Sequence, residues 1–214
     1  MEIVFMMVMA KEKVKQEMAQ KQDKGNLVWV DMEMTGLNPD KEVIIEIATI
    51  ITNSELEILT EGPDLVIHQP NTYLDAMDDW NKNQHEKTGL TKAVKESNVS
   101  LSQAEQQTLE VIHKYCPPKK CLLCGNAVHH DRRFMIKYMP KIHEYLHYRH
   151  IDVSTIKSLV SSWYPKDKDL PKKNNTHRAL ADIRDSIEEL KYYRQKYFAK
   201  LEDIVSQTKK EEKS

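Results

Sequence analysis

The sequence predicts an α/β fold in which one mixed sheet is flanked by helices. Three apolar runs joined by short turns open the folded part, and short apolar strands then alternate with segments of helical periodicity. A length of 214 residues suits one well-buried α/β domain and is too short for two full ones. We expect this domain to span residues 26–199, between a poorly ordered extension at 1–25 and a charged tail at 200–214.

The first half of the domain predicts an antiparallel meander. The apolar run L-V-W-V-D-M-E-M (27–34) indicates a buried strand, and a turn cluster at 35–40 follows it. A second apolar run covers 43–52. The segment 55–63 predicts a turn into a third strand, D-L-V-I-H-Q-P (64–70). Three strands joined by short turns are typical of a meander.

Strands and helices alternate in the second half. The clearest helix covers 101–115 and ends before a Pro-Pro pair. The run C-L-L-C-G-N-A-V predicts a short buried strand, and the helix behind it begins at D-R-R-F. H-Y-R-H-I-D predicts another strand before a helix, and a charged loop follows at 166–175. The last helix is expected from Thr176, with one apolar stripe made of Ile183, Ile187, Leu190 and Tyr193.

Composition and charge limit the partners of this chain. No apolar run approaches the ~20 residues that a membrane span needs, so we expect no membrane partner. The formal net charge is −1. A protein that grips long nucleic acid usually carries a basic surplus, because each neutralised phosphate releases counterions. Any nucleic acid that this chain binds should therefore be short.

Three cysteines lie close together in the sequence, Cys116, Cys121 and Cys124. Their odd number argues against a disulfide framework and favours a reducing compartment. Cys121 and Cys124 precede His129-His130, a pattern also compatible with zinc. Positions i and i+3 of a strand face opposite sides, however, so we interpret these cysteines as core residues.

A pair of acids at the end of the first strand suggests the chemistry. Asp31 and Glu33 are two residues apart, and a strand points such side chains to one face. Two acids on one face repel each other unless a cation lies between them, and hard oxygen ligands suit Mg²⁺ or Mn²⁺. The alternative is a solvated pair at a strand edge, which is the commoner arrangement for acids taken alone.

Three further polar residues follow in the second half. Asp131 opens a helix, where an acid is often only a cap or a dipole partner. His177 and Asp182 are five residues apart, which on an α-helix is a rotation of about 140° onto different faces. We therefore expect Thr176 to cap this helix, His177 to stay mobile in its first turn and Asp182 to project inward from the second. Taken singly, they also fit an exposed histidine and a helix-face acid.

Five strings carry a family resemblance when they are taken in order. They are W-V-D-M-E-M-T-G-L, C-G-N-A-V-H-H-D-R-R-F, K-Y-M-P, H-Y-R-H-I-D-V-S-T and T-H-R-A-L-A-D-I-R-D-S-I. Together they resemble oligoribonuclease over residues 26–198, and L-T-K-A-V-K-E-S and S-S-W-Y-P are similar to its animal branch. That family combines four carboxylates and a histidine on a ribonuclease-H-like fold, so the resemblance implies this fold.

The resemblance implies a 3′→5′ exoribonuclease that degrades RNA of about two to five nucleotides to 5′-mononucleotides, a length that fits the low net charge. It assigns Asp31, Glu33, Asp131 and Asp182 as ligands of two divalent cations, Mg²⁺ or Mn²⁺, and His177 as the general base. The implied partner is short single-stranded RNA, dinucleotides especially.

Base contacts are implied by the same resemblance. Leu37 corresponds to a wedge between the last two bases, and Trp80 to an aromatic platform under a base. The alternative for Trp80 is a half-buried core aromatic. His85 lies in the same helical region and is implied to help position the 3′ end.

Phosphate contacts and a homodimer complete the implied site. Arg149 corresponds to a clamp on the 5′-phosphate, with Ser154 nearby, because a guanidinium binds phosphate through two hydrogen bonds. Tyr148 is implied to reach the active site of a neighbouring subunit. Ala127, where the family pattern has serine, and His150, where it has tyrosine or an aliphatic residue, leave the preferred substrate length open.

Two other functions remain open at this stage. One is a general 3′ exonuclease resembling ribonuclease T or a proofreading domain, and the other is a non-catalytic RNA-binding protein of the same fold. A 5′-phosphate clamp favours short substrates, and the complete acidic set with its histidine favours an enzyme. We expect the protein in the cytoplasm, with mitochondria implied by family analogy alone.

Overall fold

The computed structural model describes residues 22–165 and 177–199. The strands in these ranges are β1 (Leu27–Met34), β2 (Ile44–Thr52), β3 (Ile58–Val66), β4 (Leu122–Gly125) and β5 (His150–Asp152). The helices are α1 (Asn71–Ala76), α2 (Asp79–Lys87), α3 (Leu90–Glu96), α4 (Leu101–Tyr115), α5 (His129–Tyr138), α6 (Pro140–Tyr145), α7 (Val153–Trp163) and α8 (Ala179–Tyr197). None of these helices is long and apolar enough to cross a membrane.

The strands form one mixed sheet in the order β3-β2-β1-β4-β5. The β1–β2 and β2–β3 pairs are antiparallel, whereas β1–β4 and β4–β5 are parallel. Short turns connect antiparallel neighbours, and parallel neighbours need a helical crossover. The predicted meander followed by strand–helix alternation is confirmed, and β1 lies at the centre of the sheet.

Each face of the sheet carries its own hydrophobic core. Strands β1 and β2 pack against α4 and α5 on one face and against α7 and α8 on the other. Cys121 belongs to the first core and Cys124 to the second, so the prediction that they face opposite sides is confirmed. The predicted apolar stripe of the last helix is also confirmed, since Ile183, Ile187, Leu190 and Tyr193 are all buried.

Several predicted boundaries were wrong. β3 begins at Ile58, in the segment that we expected to be a turn, and it contains Gly62 and Pro63. Both are tolerated because β3 is an edge strand with one hydrogen-bonded neighbour. The helix containing Asp131 begins two residues earlier than predicted, at His129. Thr176 and the loop 166–175, with the extension up to residue 21 and the tail from residue 200, lie outside the described residues.

Candidate active site

The central strand β1 places two acids on one face of the sheet. Along β1, Met32 and Met34 are buried in the core under α4 and α5, whereas Asp31 and Glu33 are half-buried on the opposite face. That face also carries Trp29, which packs beneath α8. The period of two that we predicted for the acids is therefore confirmed. A freely solvated edge pair is excluded, because β1 is central and both acids are half-buried.

Asp131 joins these acids from the other side of β1. The parallel pairing of β4 with β1 brings the start of α5 beside the end of β1. The Asp131 carboxylate is buried, and its Oδ1 accepts a hydrogen bond from the Met32 N–H at 3.0 Å. Asp131 is not the N-cap of its helix, a position that Val128 occupies. Asp131 lies in the first turn of its helix, where an acid is a dipole partner as the sequence allowed, but it is not the cap, and its carboxylate also contacts the strand between the two acids.

The start of α8 completes the group. α8 begins at Ala179, so His177 precedes the helix and Asp182 lies in its first turn. The ligand atoms of Glu33, His177 and Asp182 all lie within 4.8 Å of one another. The prediction that His177 and Asp182 lie on different faces of one helix was wrong because His177 is not helical: its φ of 47° is in the left-handed region. Its imidazole lies close to the carboxylate of Asp182.

Burial and mutual repulsion dominate the electrostatics of this group. Burial, followed by the charges of Asp182, Glu46 and Asp131, raises the pKa of Glu33 from 4.5 to about 8. Burial also raises the pKa of Asp131. Carboxyl groups that resist ionisation together are stabilised as carboxylates when a cation lies among them. The donor set of oxygens with one imidazole therefore fits a divalent metal ion.

A cleft of about 220 Å³ opens over the acids. Its walls include Asp31, Glu33, Asp131, Leu37 and Trp80. Leu37 is 61% exposed and Trp80 is 65% exposed, so the alternative of a core tryptophan is wrong. The Trp80 ring meets the His177 ring edge to face, with 6.1 Å between their centroids. Two apolar side chains thus stand in solvent beside the acidic group, where they are free to contact a ligand.

His85 lies below the cleft. It is only 2% exposed, and its Nε2 is 3.0 Å from the Met34 carbonyl oxygen at the end of β1. Burial lowers its pKa, and its Nδ1 is buried without a hydrogen-bond partner in the structure. Its clearest contact is therefore with β1, and a substrate contact for His85 stays a prediction.

Asn126 lines the cleft and was not singled out in the sequence. Its Oδ1 accepts a hydrogen bond from the Ser154 hydroxyl at 3.0 Å, and its Nδ2 donates to the Ser186 hydroxyl at 2.7 Å. Ser154 Oγ also accepts the Ala127 N–H at 2.9 Å. Ser154 thus holds the turn that forms one wall of the cleft. An asparagine directly after the glycine that ends an apolar strand was the available signal for Asn126.

Tyr148 and Arg149 lie on the exterior and do not line the cleft. Tyr148 is 74% exposed, and its hydroxyl accepts a hydrogen bond from the Arg149 Nε at 2.9 Å. Tyr148 also borders a surface groove of about 910 Å³ formed mainly by residues of α6 and the loop after it. Within the described chain, these two predicted contacts are therefore apart from the cleft.

Comparison with known proteins places this geometry in a family. Residues 28–190 match the family model RNase_T, described as Exonuclease. The chain is 53% identical to an oligoribonuclease of Chromobacterium violaceum over 176 residues, which cover 82% of this chain and 97% of that protein. It is 54% identical to the mitochondrial oligoribonuclease of Homo sapiens over 175 residues, which cover 81% of this chain and 74% of that protein. The chain belongs to the oligoribonuclease family.

Membership of the oligoribonuclease family confirms the resemblance read from the sequence and makes the chain a nuclease. Among solved structures, one of exonuclease I aligns with a TM-score of 0.62 at 15% identity, covering 81% of this chain and 41% of that one. The chain thus spans about two fifths of that protein, and the likeness concerns the fold. It confirms the ribonuclease-H-like fold for this member of the oligoribonuclease family.

Proposed function

We propose that this chain is a 3′→5′ exoribonuclease that hydrolyses very short RNA, dinucleotides above all, to 5′-mononucleotides. The observation that carries the proposal is the convergence of ligand atoms of Glu33, His177 and Asp182 within 4.8 Å of one another, beside a cleft that Glu33 lines. Nuclease chemistry needs this combination, because carboxylates hold divalent cations and an imidazole takes up a proton near neutral pH. Membership of the oligoribonuclease family supports the same assignment.

The proposed metal ligands are Asp31, Glu33, Asp131 and Asp182, with Mg²⁺ or Mn²⁺ as the ions. The raised pKa of Glu33 and its buried acidic neighbours support this set, since it favours a cation among the carboxylates. When bound, two such ions supply Lewis acidity that lowers the pKa of water and stabilises charge on the phosphate oxygens. The carboxylates hold the ions and contribute no proton transfer of their own.

His177 is the proposed general base. It lies just before α8 in a left-handed backbone conformation, and its imidazole is close to the carboxylates of Glu33 and Asp182 and to the Trp80 ring. Placed there, the ring can take the proton from a water that attacks the last phosphodiester. The Trp80 side chain borders the His177 ring on one side.

The short substrate is proposed from the side chains that line the cleft, whose volume is about 220 Å³. Leu37 and Trp80 are the exposed side chains placed to contact bases. Stacking on an aromatic ring contributes about 1–3 kcal/mol per base, so these contacts support binding of a chain end that makes few phosphate contacts.

The proposal is tested by measuring hydrolysis of a diribonucleotide and of a twenty-nucleotide RNA with Mn²⁺, with and without EDTA. We expect the dinucleotide to be cleaved at least about ten times faster, which corresponds to about 1.4 kcal/mol of discrimination, and EDTA to stop both reactions. Faster cleavage of the long RNA would instead indicate a general 3′ exonuclease. Absence of metal-dependent nucleotide release would indicate a non-catalytic RNA-binding protein.

A variant at Arg149 tests the 5′-phosphate clamp with the same two substrates. If it clamps the 5′-phosphate, Arg149→Gln raises KM for the dinucleotide and leaves the rate on the long RNA nearly unchanged. Arg133→Gln, on the exposed side of α5, is the matched loss of one arginine. Equal losses on both substrates would contradict a clamp.

We also propose a homodimer in which Tyr148 completes the site of the neighbouring subunit. Its high exposure and its place beside a groove of about 910 Å³ support a contact made outside its own chain.

The proposed compartment is the cytoplasm. Mitochondria are the alternative, because the name of the human relative gives that location.

Mixing two inactive variants tests the dimer. Asp31→Asn loses a metal ligand, and Tyr148→Ala loses the contribution to the neighbouring site. In a mixed dimer, one site keeps its own Asp31 and receives an intact Tyr148 from its neighbour, so we expect activity to return after subunit exchange. The measurement is dinucleotide hydrolysis before and after mixing. No recovery, with exchange confirmed by a mass-tagged subunit, would contradict the shared site.

A further inference from the structure

A fully buried carboxylate lies next to the proposed metal ligands. Glu46 is 0% exposed in the middle of β2, where every other residue of the strand is also buried. In the β1–β2 register, it stands directly opposite Glu33. An acid in such a place is costly unless it is fully paired, so its partners define what it does.

Both oxygens of Glu46 bind the segment that leads into α8. Its Oε1 accepts hydrogen bonds from the Arg178 guanidinium, from Nε at 2.8 Å and from Nη2 at 2.6 Å. Its Oε2 accepts the Ala179 N–H at 3.0 Å. The N-cap residue of α8, Arg178, makes no side-chain cap of its own. Glu46 therefore caps this helix from the neighbouring strand.

Arg178 lies between the two proposed functional residues of this segment. His177 precedes Arg178 directly, and Asp182 lies one turn after it. The left-handed backbone of His177 is a strained conformation for a residue with a side chain, and it needs support from its surroundings. The hydrogen bonds from Glu46 to the next two residues, Arg178 and Ala179, supply that support. They fix the start of α8 to β2, the neighbour of the strand β1 that carries Glu33.

Charge gives Arg178 a second effect. Its guanidinium lies among three acids, since Glu46, Asp64 and Glu33 all contribute to raising its pKa. The positive charge compensates Glu46, whose two oxygens are both occupied. Both Glu46 oxygens are therefore engaged by the start of α8.

We propose that Glu46 and Arg178 are positioning residues for the reaction: the pair holds His177 and Asp182 against Glu33 and sets the local charge that the metal ions meet. The proposal rests on the function proposed above for His177 and the carboxylates. It concerns residues that contact neither substrate nor metal and act through the start of α8.

The test uses Arg178→Gln and Glu46→Gln in the full chain, with kcat, KM for a diribonucleotide and Mn²⁺ affinity measured separately. Displacement of a catalytic group by about 1 Å lowers the rate by up to ~10²-fold. We therefore expect kcat to fall about 10- to 100-fold in both variants and KM to change less than about twofold. Arg178→Gln removes a positive charge beside the ions but also loosens Asp182, so the two effects on Mn²⁺ affinity oppose each other and kcat should fall much more than Mn²⁺ affinity. A general loss of structure would lower the melting temperature together with kcat and Mn²⁺ affinity.

The same helix offers a matched control. Arg184 on α8 pairs with Glu61 on β3 at 2.7 Å, so it links the same helix to the sheet six residues after Arg178. Arg184→Gln should leave kcat and Mn²⁺ affinity unchanged. Arg178→Lys, which keeps the charge but offers fewer donors, should keep the parent Mn²⁺ affinity and recover part of kcat. This variant also serves if Arg178→Gln does not fold.

The outcomes separate this inference from the proposed function. Unchanged kcat in Arg178→Gln and Glu46→Gln, with His177→Ala inactive, would overturn the positioning role and leave the proposed function intact. Parallel loss of kcat, Mn²⁺ affinity and melting temperature would also overturn it, because the pair would then only stabilise the fold. A fully active His177→Ala would instead contradict the proposed function.

Discussion

Glu33→Gln is expected to abolish hydrolysis and at the same time to stabilise the metal-free protein. Glutamine keeps the size of the side chain but neither ionises nor holds a divalent ion as a carboxylate does. Metal ions supply several kcal/mol to such reactions, so turnover should fall about 10³-fold or more. The same substitution removes a buried charge that Asp182, Glu46 and Asp131 repel. Melting temperature in EDTA at pH 8–9 should therefore rise by about 3 °C or more.

The pH dependence follows from the pKa of Glu33, which burial raises from 4.5 to about 8. Between these values the folded protein keeps a proton that the unfolded chain releases, so the metal-free protein loses stability as pH rises through this window. Melting curves in EDTA from pH 5 to pH 9 should show this fall, and Glu33→Gln should make it less steep, with the remainder due to Asp131, whose pKa burial also raises. Mn²⁺ should restore stability at high pH in the parent protein only.

An exposed acid supplies the control for Glu33. Glu96 pairs with Lys92 on the surface of α3, and both side chains are largely exposed. Glu96→Gln should change neither activity nor the slope of melting temperature against pH. If Glu33→Gln kept Mn²⁺ affinity and activity, Glu33 would not be a metal ligand. If it also melted earlier than the parent in EDTA at pH 9, the repulsion at this site would be absent.

His177→Ala is expected to slow turnover about 10²- to 10⁴-fold, the usual contribution of a general base. Mn²⁺ affinity should fall much less than in Glu33→Gln, because the carboxylates remain. Both properties are measured on the same preparations, by dinucleotide hydrolysis and by calorimetric titration with Mn²⁺. The comparison matters because the His177 imidazole lies within 4.8 Å of the ligand atoms of Glu33 and Asp182.

Added imidazole distinguishes a general base from a metal ligand at position 177. A small base that diffuses into the space left by His177→Ala should recover part of the rate, and a rise in pH should reduce the defect because hydroxide replaces the missing base. Asp182→Ala removes a carboxylate and keeps the base, so it should not respond to imidazole. Loss of Mn²⁺ binding as complete as in Glu33→Gln would make His177 a metal ligand and contradict its role as base.

Local patterns predicted the sheet well and predicted boundaries less well. The alternation of Asp31 and Glu33 with buried methionines follows from strand geometry, and α4 covers the residues 101–115 that its periodicity indicated. β3 was partly missed because its glycine and proline are typical of turns. They are compatible with a strand only at the edge of a sheet, and the position of a strand in the sheet is a property of the whole fold.

The contact of Glu46 with the start of α8 shows that a signal in the sequence of β2 was overlooked. An acid inside the apolar run V-I-I-E-I-A is unusual, since a buried carboxylate needs partners. The pattern indicates that a partner exists but does not identify it, and Arg178 is 132 residues away in the sequence. Only the packing of α8 across β1 and β2 brings the two together.

The sequence by itself determined the family, the type of fold and the identity of the candidate residues, because these depend on local periodicity and on the order of motifs. The tertiary structure decided how those residues meet. It showed that His177 precedes the helix with a left-handed backbone, that Asp131 bonds to the strand between the two acids, and that Glu46 holds the start of α8. Such contacts join residues far apart in the chain, and their geometry depends on how helices pack on the sheet, which local pattern does not encode.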